Sequence, residues 1–253
     1  MNHVPESVSA FGAQYKEWKN WNQLFTITPP DTRYYDGELG GFVFAGTKVL
    51  EIGFGSGAFL AWAKAKGAEV AGCELIEALC EEGNKRGYDT RAGSIEKFAE
   101  CIGKFELIVA LDVLEHIPLN ELPRFLEATK RIMAPNASFI ARTPNGSSPW
   151  GLVFQHGDIT HQTCLSAGRY EQLAQQTGFK IVECRNPFRP IDPAHRMKDY
   201  IRFGLRDFIT KVLSFAFQLG QTPQDSNIVV ILKATIAPEI SNPKLGNTSH
   251  NQE

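Results

Sequence analysis

The stretch VLEIGFGSG at Val49 to Gly57 constrains this chain more than any other. A short apolar run stops at Gly53, glycines recur at Gly55 and Gly57, and a helical pattern begins at Ala58. Strand, tight turn and helix start in that order make the βα turn of a nucleotide-binding sheet, because glycine turns with positive φ and lets a ligand approach the backbone closely. The spacing is G-x-G-x-G rather than the dinucleotide G-x-G-x-x-G, and no Gly-Lys-Ser/Thr follows, which argues against a phosphate-gripping loop. Glu51 sits just inside the strand end. Such a turn suits a nucleoside better than a pyrophosphate.

Strands and helices alternate from there. Ala58 to Lys66 reads as a helix with Phe59, Leu60, Ala63 and Ala65 near its buried side, ended by Gly67. Glu69 to Cys73 reads as a second strand with Glu74 at its end, and an acid about 20 residues past a glycine turn can accept hydrogen bonds from ribose hydroxyls. Ile76 to Arg86 reads as a helix stopped by Gly87, and Asp89 to Ala92 as a third strand leading to Gly93-Ser94-Ile95-Glu96. Further strands fall at Phe105 to Leu111, Ala137 to Arg142 and Asn227 to Thr235.

In this order the features resemble class I S-adenosylmethionine-dependent methyltransferases. VLEIGFGSG is similar to their motif I, Asp112-Val113-Leu114-Glu115-His116-Ile117 resembles the motif after strand 4, and Met133-Ala134-Pro135-Asn136 resembles the turn before strand 5. The resemblance implies a Rossmann-like, doubly wound α/β sheet of seven strands, order 3-2-1-4-5-7-6, with strand 7 antiparallel. It implies S-adenosylmethionine as methyl donor, contacted by Glu51, Gly53, Gly55, Gly57, Glu74, Leu75, Ser94, Ile95, Leu111, Asp112, Val113 and His116. Ser94 stands where the family often has an Asp that accepts from the adenine amino group. A narrower resemblance, PNG…HGDxTH over residues 144–161, is to bacterial methyltransferases encoded among surface-polysaccharide genes. It implies a sugar hydroxyl on a nucleotide-linked or lipid-linked glycan as acceptor. Ubiquinone-type catechol O-methyltransferases share the LEH element and give an alternative. A catalytically silent binding module of the same fold is a third reading, opposed by the intact glycines and Glu74.

A sulfonium methyl is already electrophilic, so the protein has mainly to align the reactants and make a hydroxyl acceptor nucleophilic. Two arrangements are open. In one, His161 or His156 takes the acceptor proton and Asp158 orients it. In the other, Asp112, Glu115, His116 and His161 hold a divalent ion such as Mg²⁺, as in the similar small-RNA 2′-O-methyltransferases, which carry acid-x-x-Glu-His and a later loop His.

With 43% hydrophobic residues in 253, the chain can bury one α/β core. A net charge of −2 and no basic stripe speak against nucleic acid as partner. Five scattered cysteines (Cys73, Cys80, Cys101, Cys164, Cys184) without C-x-x-C spacing read as reduced thiols of a cytoplasmic protein. MNHVPESVSA lacks the charged-then-apolar signal pattern, and no apolar run reaches membrane-spanning length.

The organisation expected is an aromatic-rich helical segment or lid over residues 1–46, a methyltransferase domain over 47–237, and a polar, disordered tail over 238–253. The lid's aromatics can cover the cofactor or pack on the sheet's helices. Residues 145–168 read as a long functional loop. Residues 187–224 are an insertion whose helix, Lys198 to Gln218, gathers Leu205, Phe208, Ile209, Val212, Leu213 and Ala216 on one face. That face is expected to pack on the protein's own core or in a homodimer, with peripheral contact to the inner membrane, near a lipid-linked acceptor, as the competing reading.

Overall fold

The computed structural model describes residues 21, 23–100, 103–220 and 222–235. The aromatic residues Phe11, Tyr15 and Trp18, Cys101 and the tail expected over 238–253 lie outside the described residues.

Seven strands form one sheet: β1 (Lys48–Ile52), β2 (Glu69–Glu74), β3 (Asp89–Ala92), β4 (Phe105–Leu111), β5 (Met133–Pro144), β6 (Phe179–Arg185) and β7 (Asn227–Ala234). Their order is β3-β2-β1-β4-β5-β7-β6, and β7 runs antiparallel to both its neighbours while β1 to β5 pair in parallel. This is the order and hand of pairing that the motif sequence implied.

Eight helices accompany the strands among the described residues: α1 (Pro29–Leu39), which precedes β1, and α2 (Ala58–Ala65), α3 (Glu77–Lys85), α4 (Ile95–Phe98), α5 (Leu122–Arg131), α6 (Pro149–Gly157), α7 (Ala167–Thr177) and α8 (Arg196–Phe217) between strands. Short 3₁₀ turns lie at Leu114–His116 and Pro193–His195. The middles of the central strands, Val49 to Ile52, Leu107 to Ala110 and Phe139 to Ala141, are buried because both faces of the sheet are covered. Leu50, Ile108 and Phe139 point to one face, with Phe125 and Tyr170 from α5 and α7. Their neighbours Val49, Leu107 and Ile140 point to the other, with Phe59 and Trp62 from α2.

Three elements depart from the sequence reading. Met133 to Asn136 belongs to β5: Met133 pairs with Phe105, and the expected turn survives as an irregularity in register, with Asn136 at φ +62°. The loop expected over 145–168 contains α6, whose N-cap Ser148 accepts from Trp150 N at 3.3 Å, with Pro149 at the first helical position. The expectation that the apolar face of the insertion helix packs on the protein's own core fails for α8. Asp199 is its one buried residue, and Leu205, Phe208, Ile209 and Val212 are exposed.

Charge, not apolar burial, fastens α8. Arg189 grips Asp225 with two nitrogens, at 2.6 and 2.9 Å, and reaches Asp207 on the helix at 2.5 Å. Arg206 lies 3.3 Å from Asp225, and Asp199 accepts from the backbone N of Asp192 at 2.9 Å.

Of the N-terminal aromatics, Phe25 stacks on Tyr88 with centroids 4.5 Å apart, and Tyr35 packs against Phe59 and Trp62 at 5.6 Å each. Trp21 instead lines a cavity. The described part of this segment therefore both packs on the helices and walls the site.

Candidate active site

The carboxyl ends of β1, β2, β4 and β5 surround a cavity of about 660 Å³, the place where open α/β sheets bind ligands. Glu51, Gly53, Gly55, Glu74, Leu75, Ser94, Ile95, Leu111, Asp112, Val113 and His116, eleven of the twelve positions read as cofactor contacts, line it. Gly57 does not. It is the N-cap of α2 at φ +73°, and a Cβ there would meet the Phe25 ring at 2.5 Å. Its need for glycine comes from the turn and from Phe25, which corrects the reading of a ligand contact.

The glycine turn is closely fitted. A Cβ on Gly53, at φ +67°, would meet Val113 Cγ2 at 2.6 Å, and one on Gly55 would meet the Trp21 ring at 2.8 Å. Gly55 N also donates to Glu74 Oε2 at 3.1 Å, while Glu74 Oε1 accepts from Leu75 N at 2.7 Å and Ile76 N at 3.3 Å. Three backbone donors thus fix the Glu74 carboxylate, which keeps lone-pair capacity for ligand hydroxyls. Burial pushes its pKa up and those three donors pull it down. Glu51 lies deeper: burial, then the nearby Glu74 charge, raise its pKa well above the ordinary carboxylate range. Its Oε2 is buried without a hydrogen-bond partner while the residue lines the cavity, an arrangement that a ligand cation such as an ammonium group would satisfy. Ser94, the N-cap of α4, uses no side-chain hydrogen bond there.

The chemistry-bearing residues gather where Leu114–His116 meets residues 158–163. Gln162 N and Thr163 N both donate to Glu115 O, at 2.7 and 2.9 Å, and Thr163 Oγ1 donates to Ile117 O at 2.6 Å. This splice sets the His116 and His161 rings 4.6 Å apart, edge to face.

His116 lines the cavity; His161 is almost wholly buried and does not. His161, read from the sequence as a candidate base, is therefore set back from the cavity wall, where His116 stands. His161 Nδ1 bonds the carbonyl of Gln155 at 3.2 Å, and its Nε2 faces Asp158 at 3.7 Å and Glu115 at 3.9 Å. A carbonyl only accepts, so Nδ1 carries a proton, and a proton or a divalent ion at Nε2 would suit the two carboxylates it faces. Asp158 does stand beside His161, as expected. His156 lies exposed in the last turn of α6, outside the cavity lining, which removes it from the candidate bases.

Thr160 was not singled out from the sequence. Its N and Oγ1 donate to Asp158 Oδ1 at 2.9 and 2.6 Å, an Asx-type turn, and its Oγ1 lies 3.0 Å from His116 Nδ1. The one hydroxyl proton goes to the carboxylate, so Oγ1 accepts from His116 Nδ1–H. That tautomer makes Nε2 the basic nitrogen.

Glu115, His116 and His161 can each bring one ligand atom to within 4.8 Å of the others, a set able to hold a divalent ion. Asp112, the fourth ligand expected, stands apart from this group. At φ +57°, its carboxylate takes Arg142 Nε at 3.0 Å and is further bound by Arg142 Nη2, and the guanidinium lies over the Tyr34 ring.

Residues 34–184, more than half of the chain, match the family model described as a methyltransferase domain. The chain belongs to this methyltransferase domain family. It is 25% identical over 159 residues to the ubiquinone biosynthesis O-methyltransferase of Acinetobacter baylyi, covering 57% of this chain and 64% of that one. The enzyme of the same name from Bartonella bacilliformis is 32% identical over 117 residues, covering 44% and 46%. The chain thus spans between about half and two-thirds of the curated relatives it matches.

Among solved structures, a SAM-dependent methyltransferase from Archaeoglobus fulgidus superposes with a TM-score of 0.58 at 16% identity, covering 76% of this chain and 88% of that one. Magnesium protoporphyrin IX methyltransferase from Synechocystis, with bound SAH, gives 0.57 at 12% identity, covering 92% and 100%. The fold is that of class I methyltransferases.

Proposed function

We propose that this S-adenosylmethionine-dependent methyltransferase methylates a hydroxyl oxygen, with His116 taking the acceptor's proton. The observation that carries the reading is the tether Asp158–Thr160–His116, which leaves Nε2 the basic nitrogen of a ring that lines the cavity. S-Adenosylmethionine supplies the electrophilic methyl. In this reading Glu74 accepts from its ribose hydroxyls, Glu51 faces its ammonium group, and Ser94 and Ile95 border its adenine. The glycine turn lets the backbone close on it. Alignment of acceptor, methyl and sulfur can supply several kcal/mol of the barrier, up to about 7–11 in favourable cases, and a positioned base roughly a further 10²–10⁴ in rate.

The acceptor we favour is a sugar hydroxyl on a nucleotide-linked or lipid-linked glycan. The PNG…HGDxTH pattern supports it, as do the polar side chains of Glu121, Arg124 and Thr160 on the cavity wall. A catechol of the ubiquinone type is the second reading, favoured by the names of the curated relatives.

The histidine tautomer also suits a metal ligand, since such an imidazole donates its other N–H to a fixed acceptor. Glu115, His116 and His161 would then hold the ion and the acceptor oxygen would bind to it.

The test is transfer of labelled methyl to a polyprenyl-linked glycan fraction and to a polyprenyl catechol, with and without chelator. His116→Ala is expected to lower kcat about 10²–10⁴-fold and to leave S-adenosylhomocysteine affinity within a few-fold. Full turnover by this variant would exclude His116 in either role. Activity that survives thorough chelation selects the base over the ion, and the labelled fraction selects the acceptor.

A further inference from the structure

Helix α8 is turned inside out. Met197, Ile201, Leu205, Phe208, Val212 and Phe215 recur at helical spacing and form one stripe, and all six are exposed, Phe208 to 65% and Phe215 to 89%. The opposite side, which meets the body, carries the buried Asp199 and, half-buried, Arg206 and Thr210 along with Phe203 and Leu213. A soluble helix places these faces the other way round.

The surroundings of the stripe identify what it meets. The helix holds five cations (Arg196, Lys198, Arg202, Arg206, Lys211) against two carboxylates, in a chain whose net charge is −2. Of the two acids, Asp199 is buried and pairs with Arg202 at 3.0 Å, and Asp207 is gripped by Arg189, which leaves Arg196, Lys198 and Lys211 without a carboxylate of this helix. Projected at about 100° per residue, Lys211 and Arg196 fall on one flank of the stripe and Lys198 and Arg202 on the other. Stripe against stripe, two copies would bring these like-charged flanks together. An anionic lipid surface accepts both the apolar side chains and the basic flanks. No described helix is long and apolar enough to cross a membrane, so the helix would lie along the surface.

A second observation concerns the helix tied to the segment after α8. Just beyond α8, Asn145 Nδ2 donates to the carbonyls of Pro223 and Asp225, at 2.8 and 3.1 Å, and Ser148 Oγ donates to that of Gln224 at 2.8 Å. Ser148 caps α6, which exposes Trp150, Val153 and Phe154. Both helices are thus tied to the carboxyl end of β5, the edge at which the cavity lies.

We infer that α8, with α6 beside its exit, is a peripheral docking surface for anionic membrane lipid. The inference stands apart from the identity of the acceptor: a soluble acceptor would leave it intact. The test is co-sedimentation of the full-length protein with vesicles of phosphatidylglycerol and phosphatidylcholine, against vesicles of phosphatidylcholine alone. Binding is expected to favour the anionic vesicles and to weaken in high salt. The double variant Phe208→Ser/Phe215→Ser is expected to lower partitioning by about tenfold or more, with melting temperature and S-adenosylhomocysteine affinity unchanged. Absence of binding, equal binding to both vesicle types, or undiminished binding of the double variant would overturn the inference. So would a dimer that the double variant disperses in sedimentation velocity without any vesicle binding, which would assign the stripe to a second copy.

Discussion

Helices α2 and α8 are both rich in apolar side chains, and the fold uses them in opposite ways. In α2 the residues from Ala58 to Ala63 are all buried, and the helix starts on the glycine turn that borders the cavity. In α8, nearly three times as long, one residue is buried, and it is an aspartate. The difference teaches that apolar content marks an element for contact without saying with what. The answer depends on which face carries the charges that the body can pair. Arg206 and Asp207 of α8 find Asp225 and Arg189 on the body, and the apolar side is left outward.

The sharpest way to break this comparison is a truncation on each helix. Phe59→Ala on α2 is expected to cost about 3–5 kcal/mol in chemical denaturation, while Phe208→Ala on α8 stays within about 0.5 kcal/mol. Comparable losses would mean that α8 is covered in solution.

Next in size is a change in the cavity. Glu74→Ala should weaken S-adenosylhomocysteine by more than about tenfold, the loss of at least one charge-assisted hydrogen bond, and leave vesicle binding alone. Calorimetry showing wild-type affinity would remove Glu74 from the cofactor's contacts.

The smallest effect concerns Glu51. Its pKa is raised in the folded protein, so folding takes up a proton, and the ionised carboxylate costs stability once pH exceeds the unfolded titration range. Glu51→Gln is therefore expected to melt about 3 °C higher at neutral pH and near the wild-type temperature around pH 4, while binding S-adenosylhomocysteine more weakly. A variant that melts lower at neutral pH would contradict the burial penalty.

The sheet was legible in the sequence because its signals are local. Gly53, Gly55 and Gly57 mark the first turn, and Gly67, Gly87 and Gly178 mark helix ends, each now seen at positive φ. The cavity walls were legible for a related reason: strand ends converge on one edge, so residues that end strands line it. What escaped depends on partners distant in sequence. Thr160 matters because residues 162 and 163 are spliced to Glu115, which brings its hydroxyl under His116. The same splice buries His161 and gives the cavity wall to His116. Asp112 looked like a metal ligand until Arg142, thirty residues on, was seen to hold it. Helix α6 was a different kind of miss, since Ser148-Pro149 is a local N-cap signal within a stretch read as a loop. The outward face of α8 could not be read from periodicity, which gives an apolar stripe but not its direction.

The clasp of Arg189 on Asp225 and Asp207 carries a thermodynamic consequence of its own. Because α8 is fastened by ion pairs and covers little apolar surface, lifting it off the body would expose little hydrocarbon to water. The heat-capacity change of that opening is therefore small, and its free energy varies almost linearly with temperature, unlike the curved stability of the sheet. The docked fraction would then change with temperature along a simple van 't Hoff line, without the maximum that marks the core's stability curve, and would respond first to ionic strength.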